Sequence, residues 1–170
     1  MAFDPDSYRW VCSCCGREQT GLPMAQAYMA PDPWYTLSDS EQGLSTLDTD
    51  FCIIRLPDQD EQYYIRCILI LPVIGSISEF HFGVWISVSK KCFDMYENGF
   101  FTGNYDTEGC FGYLMHSLPG FPSTWAMHCD VEFKADGLRP EVYLHQTDHP
   151  LYEAQQGGVS LDYVISLAQH

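Results

Sequence analysis

Positive charge is scarce in this chain: 8 Lys and Arg face 23 Asp and Glu, leaving a formal net charge of -15 over 170 residues. A surface that holds nucleic acid or an anionic membrane needs basic side chains on phosphates, so both partner classes are excluded, while the same field attracts a basic protein. Long apolar runs are also missing. The longest, residues 68–74, is interrupted by Pro72 and falls well short of the roughly 20 residues that span a bilayer. Residues 1–8 are polar and acidic, without the basic start and apolar stretch of a secretory signal. A cytoplasmic location is expected. No internal repeat, low-complexity tract or long linker divides the chain. At 46% hydrophobic and 15% aromatic residues it can bury one good core, not two, so a single domain over 1–170 is expected, with 8–23 as a knuckle-like N-terminal element.

The common catalytic signatures are absent. There is no Gly-x-Ser-x-Gly, no phosphate loop, no dinucleotide fingerprint and no His-Glu-x-x-His, which removes the usual hydrolase, nucleotide-binding and catalytic-zinc motifs. Cysteine is abundant, with eight residues. In a reducing compartment these read as buried small apolar thiols plus one metal site, with no structural disulfide.

The densest local chemistry is Cys12-Ser13-Cys14-Cys15-Gly16. Cys12 and Cys15 have the spacing by which two thiolates turn back on one ion, and Gly16 permits the φ > 0 turn that does it. This is half of a zinc knuckle. No second Cys-x-x-Cys follows, so the other ligands would come from isolated residues such as Cys52, Cys67 or His149. A tight turn with two half-buried thiols is the competing reading.

Residues 8–13 read as a short strand into that turn. Pro31 and Pro33 hold 31–35 extended, and Ser38 with the acids after it suits a short capped helix. Strand signals cover 51–56 and 62–73, joined as a hairpin by the loop 57–61. Phe80, Phe82, Val84, Ile86 and Val88 alternate at period two, as in a strand with one buried face. Ser87 or Ser89 caps a helix over 90–98, residues 99–109 read as a loop, and 110–118 as a helical turn. Residues 124–134 alternate, with Trp125, Met127, Cys129, Val131 and Phe133 on one face, and 141–146 supply a partner strand. Ser160 caps an amphipathic helix with Leu161, Val164, Ile165 and Ala168 as its stripe. The expected fold is α+β: an antiparallel sheet with several short helices and an N-terminal zinc-knuckle-like turn.

Three further groups are candidates. Asp148 beside His149 has the pattern in which a carboxylate orients an imidazole for metal binding or proton transfer, or else a capped turn. Asp48, Asp50, Asp58, Asp60 and Glu61 form the acid-rich stretch. They lack the spacing of a calcium loop, which leaves a solvated face or a docking surface for a basic partner. Trp34, Tyr35, Tyr63 and Tyr105 are the aromatics that would anchor it.

With these residues in place, the order Cys12-x-x-Cys15-Gly16, Gly21-Leu22-Pro23, Ala30-Pro31-Asp32, Asp50-Phe51-Cys52-Ile53-Ile54, Phe82-Gly83-Val84-Trp85-Ile86-Ser87-Val88-Ser89, Leu118-Pro119-Gly120-Phe121-Pro122, Gly137-Leu138-Arg139-Pro140 and Thr147-Asp148-His149-Pro150-Leu151 resembles a bacterial family, domain of unknown function 2199. The resemblance covers nearly the whole chain. It implies a single-domain cytoplasmic protein and supports the knuckle reading of Cys12 and Cys15. It transfers no catalytic residue. Cys14 and Cys67 are extra thiols against that pattern, and Gln19 stands where a histidine or acid is expected.

The functional expectation is an acidic, non-enzymatic binding protein. It would be immunity- or antitoxin-like, neutralising a basic toxin, specifically a nuclease, by covering its nucleic-acid-binding surface. The alternative is a zinc-supported enzyme or regulator using His149 with Asp148, or a cysteine.

Overall fold

The computed structural model describes residues 3–105 and 107–169. After a single 3-10 turn (Pro5–Ser7) comes a hairpin in which β1 (Arg9–Val11) pairs antiparallel with β2 (Glu18–Thr20). After β3 (Ala25–Ala27) and a 3-10 helix (Asp32–Thr36) comes α1 (Asp39–Leu44), whose N-cap Ser38 and Glu41 form a full capping box. The strands β4 (Thr46–Leu47), β5 (Phe51–Ile54), β6 (Gln62–Pro72) and β7 (Glu79–Val88) follow. Then come α2 (Lys90–Thr102), β8 (Gly109–Leu114), β9 (Met127–Glu132), β10 (Glu141–Leu144), α3 (Pro150–Gly157) and α4 (Leu161–Ala168).

The two long strands, β6 and β7, organise the sheet. They pair antiparallel from Tyr63 opposite Val88 to Pro72 opposite Glu79, and each is too long for a single neighbour on its other side. β6 takes β5 on its first half and β10, in parallel, at Ile68. β7 takes β8 at residues 86–88 and β3, in parallel, at residues 81–83. Since β8, β9 and β10 are successive antiparallel neighbours, the order β6-β7-β8-β9-β10 closes into a five-stranded ring, from which β3 and the β5–β4 edge project.

Alternation fills the ring. Cys67, Leu69, Leu71, Phe82, Val84, Ile86, Leu114, Cys129, Val131 and Val142 are almost wholly buried inside it, and each fully buried aliphatic or aromatic side chain contributes about 1.5–3 kcal/mol. Phe93 and Tyr96 of α2, Leu151 of α3 and Val164 of α4 join the same core. A second cluster, Cys52, Ile54, Tyr64 and Trp85, is covered by Tyr28, Trp34 and Leu37. The β7–β8 approach depends on Gly112. A Cβ there would meet Ile86 Cγ2 and the Ser87 carbonyl, so only glycine lets the strands come together.

Several local expectations change. Residues 110–118 are not helical: Phe111 and Tyr113 face out while Gly112 and Leu114 face in, a period-two pattern that the sheet satisfies as β8. The loop expected from residue 99 instead continues α2 to Thr102, because Gly99 leaves room for the Tyr105 ring against the helix. Ser89, not Ser87, is its N-cap. The 31–35 segment is a 3-10 turn, with a proline in its first positions. Trp125 is 45% exposed, since Ala126 at φ 58 breaks the alternation before β9 begins. Finally, Cys92 and Cys110 are joined in a disulfide, against the expectation of none: α2 lies on the sheet beside β8, and only that packing brings the two residues together.

Candidate functional site

The N-terminal turn gathers thiols. Gly16 at φ 70 and the bonds Gly16 N–H to the Cys12 carbonyl (2.8 Å) and Cys12 N–H to the Arg17 carbonyl (3.0 Å) wrap residues 12–17 into a tight loop between β1 and β2. Trp10 Nε1 donates to the Gly21 carbonyl at 3.0 Å and ties the hairpin's base. The Sγ atoms of Cys12, Cys14 and Cys15 lie within 4.8 Å of one another, and they are the one group of three or more potential metal ligands among the described residues. Cys12 is nearly buried, whereas Cys14 and Cys15 are exposed.

Cys14 is therefore part of the cluster that the sequence reading built from Cys12 and Cys15 alone. The Cys12 and Cys14 sulfurs stand 2.8 Å apart. The hydrogen bond between them pulls the Cys12 thiol down to about 7 and pushes Cys14 up to about 11, so Cys12 is the first of the two to become a thiolate. Two thiolates on one tetrahedral zinc, at about 2.3 Å each, stand about 3.8 Å apart. The Cys12–Cys14 spacing is too short for both to ligate as they stand. The cluster is close enough to bind a metal once these two sulfurs spread.

The distant ligands considered above are elsewhere. Cys52 and Cys67 are fully buried and burial pushes both thiols up, Cys52 to about 12, so neither presents a thiolate. His149 is the N-cap of α3: its Nδ1 accepts from Leu151 N–H at 3.0 Å, and its Nε2–H donates to the Ser123 carbonyl at 3.0 Å. Both ring nitrogens are committed, and Asp148 beside it is exposed. That pair is a helix start rather than an open acid–base dyad.

The acid-rich stretch divides in two. Asp48 Oδ1 accepts from the N–H groups of Asp50 (2.9 Å) and Phe51 (2.7 Å), making the turn into β5. Asp50 pairs with Arg139 at 2.9 Å with its side chain only 18% exposed. Glu61 bridges to Arg55 at 3.2 Å and accepts from the Tyr63 hydroxyl at 2.6 Å, which lowers its pKa. Asp58 and Asp60 are exposed at the β5–β6 turn and make no ion pair among the described residues. Of the aromatics, Tyr35 is 65% exposed. Trp34 is half-buried on the second core cluster, Tyr63 packs on Phe93 and Tyr105 stacks on Tyr96. The 3-10 helix, α1 and the β4–β5 edge are held together by Gln42 Nε2 to the Trp34 carbonyl (3.3 Å) and Arg55 Nη1 to the Leu44 carbonyl (3.3 Å). Tyr35, at 65%, and Leu44, at 55%, are exposed in these segments, as are Asp39 and the acids Asp58 and Asp60 of the β5–β6 turn.

A buried polar network has no local signature in the sequence, because its members lie far apart along the chain. His116, fully buried, accepts the Trp85 N–H on Nε2 at 2.9 Å and donates from Nδ1 to Asp32 Oδ1 at 2.9 Å. Asp32 Oδ2 accepts from Ser117 N–H at 3.1 Å, and Tyr28 stacks on the imidazole at 4.3 Å. Burial lowers the His116 pKa, partly opposed by Asp32. Every ring nitrogen is used, so the network fastens the 3-10 helix to β7 and has no open position for a substrate.

These features define a small α+β domain with a closed sheet and a three-thiol hairpin. The chain belongs to the family of uncharacterized proteins conserved in bacteria, DUF2199, whose model matches residues 11–159. That match begins just before Cys12 and ends after α3. No curated protein and no solved structure matches the chain. No helix among the described residues is long and apolar enough to cross a membrane.

Proposed function

We propose that this chain is a non-enzymatic binding protein of the bacterial cytoplasm whose partner is a basic protein, specifically a nuclease toxin that it neutralises as an immunity or antitoxin protein does. The observation that carries the reading is the charge of -15 combined with exposed acids, Asp58 and Asp60, at the β5–β6 turn and with exposed apolar side chains, Tyr35 and Leu44, in the segments before β5. Rim acids steer encounter with a basic surface, and an exposed aromatic and an aliphatic side chain supply the desolvated centre of a contact. A nuclease must be basic to hold phosphates, and an acidic protein competes for that surface.

The test is co-purification from native cells at low and moderate salt, followed by nuclease assay of whatever is recovered. A basic partner near one to one, whose nuclease activity falls in proportion to added chain, establishes the reading. Recovery of no basic protein at low salt overturns it.

The thiol cluster is assigned zinc as a structural ion, with Cys12 and Cys15 as ligands and Cys14 as a third candidate. Three thiols gathered in one turn offer the soft donors that suit zinc. Elemental analysis of the purified protein tests this: about one zinc per chain supports it, and none after purification without chelator removes it. The competing enzyme reading through Asp148 and His149 draws no support from a histidine with both nitrogens committed.

A further inference from the structure

The outer face of β8, β9 and β10 carries two cross-strand rows. Tyr113 stands opposite His128, and one step past the last ladder pair His145 N–H donates to the His128 carbonyl at 3.0 Å, which sets the two histidines opposite each other. Phe111, Asp130 and Tyr143 form the neighbouring row. Residues directly opposed on one face of a sheet have Cβ atoms about 5 Å apart, and the two imidazole centroids here are 6.3 Å apart. Asp130 Oδ1 lies 2.8 Å from His145 Nε2. A carboxylate only accepts, so Nε2 carries a proton, and in the neutral imidazole Nδ1 keeps its lone pair. The ring nitrogens of His128 have no hydrogen-bond partner among the described residues. Phe111 and Tyr113 hold that ring edge-on, at 5.5 and 5.1 Å. A cavity of about 330 Å³ opens beside the pair, lined by Met127, His128, His145, Gln146, Thr147 and His149.

We propose that His128 and His145 form a two-imidazole site for a divalent transition ion of the zinc class, with Asp130 as the positioning residue for His145 and water completing the coordination. Imidazole suits such ions better than calcium or magnesium. A ligating histidine ordinarily donates its other N–H to a carboxylate, which fixes the tautomer and raises ligand basicity. That partner is already in place on the same face of β9. The net charge of -15 raises the local concentration of cations around the whole chain. The site lies on β9 and β10, apart from the hairpin thiols, and stands whether or not those hold zinc.

Imidazole-ring NMR of the full chain during zinc titration tests it, because each histidine is read separately from the thiol cluster. The expected result is a saturable, concerted shift of His128 and His145 while buried His116 stays still. His128→Ala should abolish the His145 response, with an unchanged amide spectrum showing that this exposed position leaves the fold intact. Asp130→Asn should weaken binding by about 10–100-fold. Unmoved His128 and His145 signals in excess zinc, or a His145 response unchanged in His128→Ala, would overturn the site. An affinity unchanged in Asp130→Asn would remove the role given to Asp130.

Discussion

His116 Nδ1 donates to Asp32 Oδ1 across 2.9 Å, linking positions 84 residues apart and fixing the imidazole as its neutral tautomer. The opposite nitrogen must accept from Trp85 N–H, so a second proton on the ring would break that bond. Burial lowers the folded pKa below the unfolded value of about 6.5. Between those two values the unfolded chain binds more protons, so this contribution to stability is complete above about pH 6.5 and is lost as pH falls toward the folded pKa. Thermal melting between pH 7.5 and 5 should therefore show a falling Tm, and His116→Gln should be less stable at pH 7.5 with a shallower fall. His116→Ala should cost about 2–5 kcal/mol, from the cavity and the orphaned partners.

The Asp50–Arg139 pair separates fold from docking within the acid-rich stretch. Asp50→Ala leaves a half-buried guanidinium unpartnered and should lower stability by about 1.5–3 kcal/mol, as read by urea denaturation. Asp58→Asn with Asp60→Lys should leave the denaturation midpoint nearly unchanged, because both side chains are exposed and make no ion pair among the described residues, and asparagine tolerates the φ of 57 at position 58. Under the proposed function, the same double change should slow association with the basic partner and flatten its salt dependence.

For the hairpin thiols, Cys12→Ser and Cys15→Ser should each abolish stoichiometric zinc in elemental analysis. Since Cys14 and Cys15 are exposed and the core lies elsewhere, chelation should leave the far-ultraviolet circular dichroism of the closed sheet largely intact. Loss of the whole cooperative melt on chelation would show instead that the ion holds the domain together.

The Cys92–Cys110 disulfide closes a loop of 18 residues, for which loop entropy predicts about 3 kcal/mol of stabilisation. Melting with and without reductant should differ by about that amount, and intact mass under non-reducing alkylation should show six modified thiols, matching the six free cysteines. In a reducing cytoplasm this pair would be open, so Cys92→Ser measures the stability available there.

Much of the fold is legible because it is local. The period-two runs of β6, β7 and β9 and the serine caps at Ser38, Ser89 and Ser160 are each set by neighbours within a few residues. The segments that read wrongly are those decided by partners far away. β8 resembled a helical turn until β7 and β9 supplied its ladders, and residues 148–149 read as an acid–imidazole pair or a capped turn until the distant Ser123 carbonyl fixed the His149 ring as the N-cap of α3. The candidate metal site was legible as Cys12 and Cys15. Cys14 joined it only through the turn's conformation, and the pairing of Asp50 with Arg139 and of Glu61 with Arg55 rests on contacts that residue spacing does not announce.

The sequence by itself determined the charge, the alternating strands and the Cys-x-x-Cys-Gly turn, since each depends on residue type and short spacing. The tertiary structure alone decided which acids are paired, that His116 is locked by Asp32 and Trp85, that Cys92 meets Cys110, and that His128 faces His145. Each of these rests on contacts between elements, and only closing β6 to β10 into a ring brings those residues within reach of one another.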